Sequence, residues 1–355
     1  MKNQRNIRIK DIAKMAGVSV GTVDRVIHRR GRVSEEARKK VEKILNQTGY
    51  QPNLLARTLG SNKTLRLVAL TPDPDQDDYW ALSNSGIEQA VDEWSQYSVE
   101  IIAKHFDLYN SNDFSKTIAE VMTLEPDGVL IAPIFFRESE ELFKALKKQG
   151  VPYVLFNTKI ANSSSMCFIG QDLYQSGRVA AELLDLGKSD KNKIAILHLY
   201  EDVENSIHLK DKEAGMRDYF NELDNPYEII RFGLSDPEHP AFKIELKHLI
   251  KDDDIHGIFI TTSKGTYKTA SLLEELKKDD IRLVGYDLLN ENIEYLRKGT
   301  IDFLINQSPN RQASVGISYL ANLLLFKKEP PHEELFPLEI ITRQNLDSYV
   351  RSKIH

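Results

Sequence analysis

The chain has 355 residues, enough for more than one compact domain, with a formal net charge of −6 and a single cysteine, Cys167. One cysteine excludes an intrachain disulfide, and neither a signal sequence nor an apolar run of ~18 residues is present, which argues against export and membrane insertion. We therefore expect a cytoplasmic protein that does not contact a membrane.

The charge is distributed unevenly along the chain. Residues 1–63 contain 15 Lys and Arg against 5 Asp and Glu, whereas the remaining residues contain 32 against 48. A basic segment on an acidic body is typical of a protein that binds nucleic acid through one region only, because the acidic body repels phosphates. The alternative, a solvated basic arm, is disfavoured by the helical pattern within the segment.

Two short amphipathic helices joined by a glycine turn are predicted over residues 9–27. Apolar residues at helical spacing form a small core, namely Ile12, Ala13, Ala16, Val18, Val23 and Val26. Gly17 permits the positive φ of a tight turn, and Ser19 is placed to cap the second helix. A third helix is predicted over Ser34–Thr48. Together these elements predict a helix-turn-helix DNA-binding head.

The segment resembles the headpiece and hinge of the LacI/GalR family of bacterial transcription regulators. The resemblance depends on Asp11-Ile12-Ala13, Ala16-Gly17-Val18-Ser19, Thr22-Val23, Arg25-Val26, Val33-Ser34, Gly49-Tyr50, Pro52-Asn53 and Ala56. It implies a headpiece over residues 1–50 and a hinge helix with linker over 51–63. It also implies that a homodimer binds a pseudo-palindromic double-stranded DNA operator.

The resemblance also implies a set of DNA contacts. Base edges would be contacted by Val20, Gly21 and Arg25, and phosphates by Ser19, Thr22, His28 and Asn53. Among the first group, only Arg25 can form the bidentate contact to guanine that specifies a base strongly. For Ser19, helix capping alone is the competing interpretation, and the two roles can coexist.

Two further positions in the head have specific implications. Asp24 replaces the family's commoner serine, and it could accept from a cytosine amino group or orient Arg25; we favour the second because phosphates repel a carboxylate. Leu59 occupies the position at which the family inserts a leucine wedge into the minor groove, where it kinks the duplex. The short hinge helix cannot be stable alone in water, so its order should depend on DNA and on the body.

The body, residues 64–355, alternates short apolar runs with amphipathic segments, which predicts an α/β fold with parallel sheets. Strands are expected at Leu65–Thr71, Val99–Ala103, Gly128–Ala132, Val151–Asn157, Lys193–Leu199, Tyr227–Phe232, Gly257–Thr261, Ile281–Asp287 and Ile301–Asn306. Helices are expected at Ser83–Gln96, Asp113–Leu124, Glu138–Lys148, Gln175–Leu186, Asp211–Glu222, Lys268–Lys278 and Arg311–Leu325.

The body is similar to the periplasmic sugar-binding proteins, whose fold the LacI family uses as its effector domain. The motifs that carry the likeness include Gly86-Ile87, Pro126-Asp127-Gly128, Gly170-Gln171-Asp172, Val284-Gly285-Tyr286-Asp287 and Asn306-Gln307-Ser308-Pro309. The likeness implies two lobes joined by three crossovers, with an N-lobe of about 64–167 and 306–332 and a C-lobe of about 168–305 and 333–355. A ligand would bind between them, at the carboxyl ends of the strands.

A sugar site needs flat apolar faces and bidentate polar groups. Tyr79 and Trp80, expected in a loop after the first strand, are the best stacking candidates, followed by Phe135 and Phe136, for which a core role is equally plausible. Polar cleft residues of the family correspond to Asn157, Asp172, Lys212, Thr262, Asp287 and Gln307. Lys212 stands where many relatives have arginine, so the ligand could differ from the relatives' simple hexosides or be held less tightly.

No pattern in the sequence indicates an enzyme, a cofactor or a metal. The stretch Asp73–Asp78 starts like a calcium loop but lacks its glycine, and neither a phosphate-binding glycine loop nor a nucleophile elbow is present. We expect a ligand-responsive transcription regulator, with repression released by a sugar favoured over activation. The alternative is a regulator whose body senses a protein partner or co-repressor instead.

Overall fold

The computed structural model describes residues 9–27, 31–48, 64–187, 190–199, 207–224, 227–235 and 239–351. The chain divides into two compact units, Met1–Asn62 and Lys63–His355. The first unit contains α1 (Ile9–Ala16), α2 (Val20–Ile27) and α3 (Glu35–Thr48). Its core consists of the buried residues Ile12, Ala13, Ala16, Val23, Val26 and Val41. The predicted helix-turn-helix is thus present, and Gly17 adopts a φ of 65° in its turn.

The second unit is built on two six-stranded sheets, one in each lobe. The N-lobe sheet has the order β11-β5-β4-β3-β1-β2, and all its pairings are parallel. Its strands are β1 (Leu65–Pro72), β2 (Val99–Phe106), β3 (Gly128–Ile131), β4 (Tyr153–Phe156), β5 (Cys167–Gly170) and β11 (Glu333–Leu335). Helices α4 (Asp78–Trp94), α5 (Ser111–Thr123), α6 (Phe136–Gln149) and α12 (Pro309–Phe326) belong to this lobe.

The C-lobe sheet has the order β12-β10-β9-β8-β6-β7, with only the β10–β12 pair antiparallel. Its strands are β6 (Lys193–Leu199), β7 (Glu228–Leu234), β8 (Ile255–Ile260), β9 (Arg282–Tyr286), β10 (Phe303–Asn306) and β12 (Glu339–Ile341). Its helices are α7 (Leu173–Asp185), α8 (Ile207–Asn221), α9 (Pro240–Leu249), α10 (Lys264–Leu276), α11 (Asn290–Lys298) and α13 (Leu346–Arg351).

The chain passes between the lobes three times, and two of these crossovers differ from the predicted positions. The first follows β5, which pairs with β4 as far as Ile169, so it lies after Gly170 and not near 167. The third lies between β11 and β12, after Leu335 and not near 332. The predicted positions were approximate lobe boundaries implied by the family likeness, and the ends of β5 and β11 lie only a few residues beyond them.

Two helix pairs, α4 with α12 and α7 with α8, pack closely at glycine residues. A Cβ at Gly86 of α4 would lie 2.0 Å from the carbonyl oxygen of Asn310 at the start of α12. In the C-lobe, a Cβ at Gly177 of α7 would lie 1.9 Å from the carbonyl oxygen of Lys212, and one at Gly215 of α8 would lie 1.9 Å from that of Tyr174. Helices α7 and α8 therefore pack backbone against backbone, which no larger residue would allow.

Candidate functional site

The exposed face of α2 carries the predicted base-contacting residues. Val20, Gly21 and Arg25 are all exposed, while Val23 and Val26 on the opposite face are buried. Val20 presents 44% of its surface to solvent. An exposed apolar side chain beside an arginine is the composition that a DNA-reading helix needs. Asp24 is exposed on the same face, so both proposed roles for it stay open.

Ser19 caps α2, as the sequence predicts. Its hydroxyl oxygen accepts from the Thr22 backbone N–H at 3.2 Å and lies 2.9 Å from the Thr22 hydroxyl. Both hydroxyls are on the solvent-facing side of the helix start, where a phosphate could also be bound. The predicted contacts at His28, Asn53 and Leu59 lie outside the described residues.

A cavity of about 60 Å³ lies between the two lobes of the second unit, at the carboxyl ends of the strands. The N-lobe lines it with Asp77, Tyr79, Trp80, Leu108, Ile134 and Asn157. The C-lobe and the second crossover line it with His208, Lys212, Thr261, Thr262, Ser263 and Gln307. The N-lobe thus contributes every aromatic and aliphatic lining side chain, beside Asp77 and Asn157, and the opposite wall is polar.

Tyr79 and Trp80 line this cavity, but they lie in the first turn of α4 and not in a loop as predicted. The helix starts early because the Asp77 carboxylate accepts from the Tyr79 backbone N–H at 2.8 Å, forming an N-cap. Both rings are buried and meet edge to face, with centroids 4.9 Å apart. The Tyr79 hydroxyl accepts from Asn157 Nδ2 at 2.6 Å, and burial raises the pKa of Tyr79 well above its ordinary value.

Lys212 projects from α8 into the polar wall, and its charge is already compensated by its surroundings. Its Nζ donates to the Thr261 carbonyl at 2.9 Å and lies 3.8 Å from the ring centroid of Tyr286. The buried carboxylate of Asp287 interacts with it electrostatically. An ammonium that already donates to a carbonyl and lies near a carboxylate attracts a further anion less strongly than a solvent-facing ammonium of the same cavity would.

Asp287 is completely buried and is not among the residues that line the cavity. Its Oδ1 accepts from the Gln307 backbone N–H at 2.8 Å, and its Oδ2 accepts from Gln307 Nε2 at 2.7 Å and from the Ser263 hydroxyl at 2.5 Å. Burial raises the pKa of Asp287, and these hydrogen bonds oppose that rise. In this arrangement Asp287 holds two lining residues, Ser263 and Gln307, in place.

A second buried acid supports the polar wall from behind. Glu213 follows Lys212 on α8, and its Oε2 lies 3.0 Å from His198 Nε2 while its Oε1 accepts from Arg217 at 2.7 Å. These contacts, led by that from His198, lower the pKa of Glu213 to about 2. His198 Nδ1 lies 3.1 Å from the hydroxyl of Thr261, whose backbone carbonyl binds Lys212. The group therefore connects α8 to the end of β8.

Besides Asp287, the structure places three of the predicted candidates away from the cavity lining. Phe135 packs against Phe106 and Phe114, with centroids 6.2 and 5.6 Å apart, and Phe136 packs on the N-lobe core. Asp172 is exposed and caps α7, accepting from the Gln175 N–H at 2.9 Å. None of the three lines the cavity. Phe135 packs with neighbouring aromatic rings, Phe136 packs on the N-lobe core, and Asp172 caps a helix end instead of facing the cleft.

Six lining residues were not singled out from the sequence: Asp77, Leu108, Ile134, His208, Thr261 and Ser263. Thr261 and Ser263 flank Thr262 at the end of β8, so the strand-end rule that identified Thr262 could have found them. The Thr262 hydroxyl is buried and has no hydrogen-bond partner among the described residues. Leu108 and His208 carry no comparable sequence signal.

Comparison with known proteins places both parts of the chain in families. Residues 8–53 match the bacterial regulatory proteins of the lacI family, and residues 68–328 match the periplasmic binding protein domain. The head belongs to the LacI family and the body to the periplasmic binding protein domain family. The second unit of this LacI-family regulator is its periplasmic-binding-protein domain, and the predicted fold class is confirmed.

Individual relatives extend over most of the LacI-family chain. The sucrose operon repressor of Streptococcus mutans serotype c is 26% identical over 96% of this chain and 99% of the relative. That of Lactococcus lactis subsp. lactis is 24% identical over 79% and 83%. A crystal structure described as a LacI transcriptional regulator from Bacteroides fragilis is 29% identical, covers 81% of this chain and all of that chain, and superposes with a TM-score of 0.76.

These similarities decide the class of activity. The protein is a ligand-responsive, DNA-binding transcription regulator and not an enzyme, as the sequence predicts. Among the described residues, no helix combines the length and apolar character needed to cross a membrane, and no group of three or more His, Cys, Asp or Glu is placed to hold a metal ion.

Proposed function

We propose that this regulator is a homodimeric repressor whose operator affinity is lowered by an uncharged carbohydrate bound between the lobes. The observation that carries the proposal is the two-sided cavity, in which the Trp80 and Tyr79 rings face a polar wall that includes Lys212, Thr262 and Gln307. Sugars present C–H faces to aromatic rings and vicinal hydroxyls to polar groups, so both walls have a partner on one ligand.

The charges around the cavity favour a neutral ligand over a sugar phosphate. Lys212 is compensated by Asp287 and by the Tyr286 ring, and no arginine is among the described lining residues. The Asp77 carboxylate, which caps α4 at the cavity, would repel a phosphate. A group carrying about −1.5 to −2 charges needs Arg or Lys partners to replace its hydration, and the cavity offers little of this kind.

Regulation would follow from a change in the relation between the lobes. We propose that the ligand binds one lobe arrangement more tightly, and that this arrangement shifts the paired N-lobes of the dimer so that the two hinge segments no longer fit one minor groove. An effector acts only through its differential affinity for two states, so a ~100-fold weakening of operator binding corresponds to roughly 2.7 kcal/mol of coupling. In this scheme Arg25 provides base specificity and Leu59 the minor-groove wedge.

The proposal is tested with the full-length protein in two steps. An operator is first selected from a random DNA pool, and a library of neutral sugars and their phosphates is then screened for a rise in melting temperature, since a ligand of the folded state stabilises it by mass action. We expect a neutral sugar to raise the melting temperature and to weaken operator binding, and its phosphate to do neither. A response to phosphates alone contradicts the charge argument.

If no compound in the library binds while operator selection succeeds, the carbohydrate proposal fails and the competing interpretation, a regulator that senses a protein partner, is favoured. If no inverted-repeat DNA is enriched over bulk competitor, the DNA-binding scheme itself fails. Titration of Trp80→Ala, which removes the aromatic wall, should abolish the thermal response to the sugar while operator binding persists.

A further inference from the structure

The three crossovers between the lobes converge on a single side chain, Gln171. This residue lies on the first crossover, immediately after β5, and only 3% of its surface is exposed. Its Nε2 donates to the carbonyl of Asn306, the last residue of β10 before the second crossover, at 2.9 Å and to the carbonyl of Pro337 on the third crossover at 2.8 Å. One amide nitrogen therefore uses both of its hydrogens to join all three connections.

Backbone and side-chain contacts around Gln171 make this cluster continuous. The Phe336 N–H donates to the Gly170 carbonyl at 2.7 Å, which joins the first and third crossovers directly. Asn306 Nδ2 donates to Glu339 at 2.7 Å, between paired residues of β10 and β12, where the second crossover begins and the third ends. Among the described residues, Gln171 alone connects the first crossover to both the end of β10 and the third crossover through one group, and its Oε1 is buried there with no partner.

Rotation of one lobe relative to the other must change the backbone dihedrals of the crossovers, because these are the covalent connections between the lobes. Such a rotation moves the Asn306 and Pro337 carbonyls relative to Gln171 Nε2, whose two N–H bonds have a fixed angle. Hydrogen bonds lose most of their energy when distance or angle departs from the favoured range. The Gln171 amide therefore stabilises one particular lobe arrangement, the one in which the cavity holds only about 60 Å³.

We infer that Gln171 is a positioning residue that sets the equilibrium between closed and open lobes, without contacting the effector or the DNA. This inference extends the proposed function, since it assigns the source of the conformational bias that the effector would use. Replacing the amide with an apolar side chain of similar size should favour the open state. Leaving two buried carbonyls with a weaker partner would also cost some stability, so the test must separate opening from unfolding.

Trp80 provides a natural reporter of opening. It lines the cavity and is 5% exposed, and the only other tryptophan, Trp94, is removed by Trp94→Phe. Acrylamide quenching of Trp80 fluorescence is measured in the full chain, without sugar or DNA, for the parent, Gln171→Met and Gln171→Glu. Both substitutions remove the two N–H donors, while the glutamate retains the length and acceptor oxygens of the original side chain.

We expect the quenching constant to rise at least about twofold in both Gln171 variants, at temperatures where circular dichroism reports a fully folded chain. Asn322→Ala is the matched control, because it also removes a hydrogen bond from a side-chain amide to a backbone carbonyl. Asn322 Nδ2 donates to the Ser318 carbonyl at 2.8 Å, within α12 and away from the crossovers. The control should leave quenching unchanged. Gln171→Asn, which keeps the donors on a shorter arm, should show a smaller rise than Gln171→Met.

Two results would overturn the inference. The first is parental quenching in folded Gln171→Met and Gln171→Glu, and the second is an equal rise in the Asn322→Ala control. A merely structural role would lower the melting temperature and leave the quenching of the folded state at the parental value. The quenching measurement uses no effector, so it can be interpreted even if the sugar screen fails. The sugar screen can likewise be interpreted if the Gln171 variants show parental quenching.

Discussion

Gly177→Ala tests whether the backbone contact between α7 and α8 positions the polar wall of the cavity. The added Cβ would lie 1.9 Å from the Lys212 carbonyl oxygen, whereas ordinary van der Waals contact begins at 3.4 Å. The helices must therefore separate by more than an ångström. Overpacking of this kind costs about 1–3 kcal/mol, from which the better helix propensity of alanine recovers up to about 1 kcal/mol.

The expected net loss in the free energy of unfolding of the C-lobe is up to about 2 kcal/mol. It is measured by urea unfolding of the full chain, followed by circular dichroism and compared with Gly233→Ala, where a Cβ meets nothing within 4 Å. Because Lys212 moves with α8, a sugar that binds the parent should also bind the variant more weakly. Equal denaturation midpoints for Gly177→Ala and Gly233→Ala would refute the reasoning.

Three further substitutions address other parts of the protein. Arg25→Ala should cost about 1–3 kcal/mol of operator binding and relax the preference at one base pair per half-site, as measured by binding to single-base operator variants; an equal loss on all sequences contradicts base readout. Asp287→Ala should abolish the response to sugar while operator binding persists, because Ser263 and Gln307 lose the carboxylate that orients them. An unchanged dose–response curve would show that Asp287 does not support the site. Glu213→Gln should lower the free energy of unfolding at neutral pH. The difference from the parent should disappear as pH falls from about 5 towards 2, because a carboxylate with a lowered folded-state pKa stabilises the fold only while it is ionised. A difference in unfolding free energy that stays constant over this pH range argues against the ion pair.

Much of the architecture could be predicted from the sequence because its signals are local. Alternating apolar runs gave all nine predicted strands, and the core of the head was evident from Ile12, Val23 and their neighbours. The elements that were missed are short or weakly patterned. Strands β5, β11 and β12 have three or four residues each. Helix α9 begins at Pro240, after a run of polar residues that gives no helical pattern.

The candidate site was harder to predict, because it depends on which way side chains face in three dimensions. Trp80 was expected in a loop, since the acidic stretch before it conceals an N-cap at Asp77. Asp172 and Asp287 both follow strand ends, yet the first caps a helix at the surface and the second is fully buried behind Gln307. Sequence position locates the end of a strand but does not distinguish these orientations.

The small volume between the lobes has a kinetic consequence. The free space of about 60 Å³ between the lobes is far below the ~300 Å³ of a typical small-molecule pocket. If a hexose binds there, as proposed, the lobes must part to admit it. At high concentration its observed association rate should level off at the rate of that opening, so the speed of induction would be set by the protein and not by the supply of inducer.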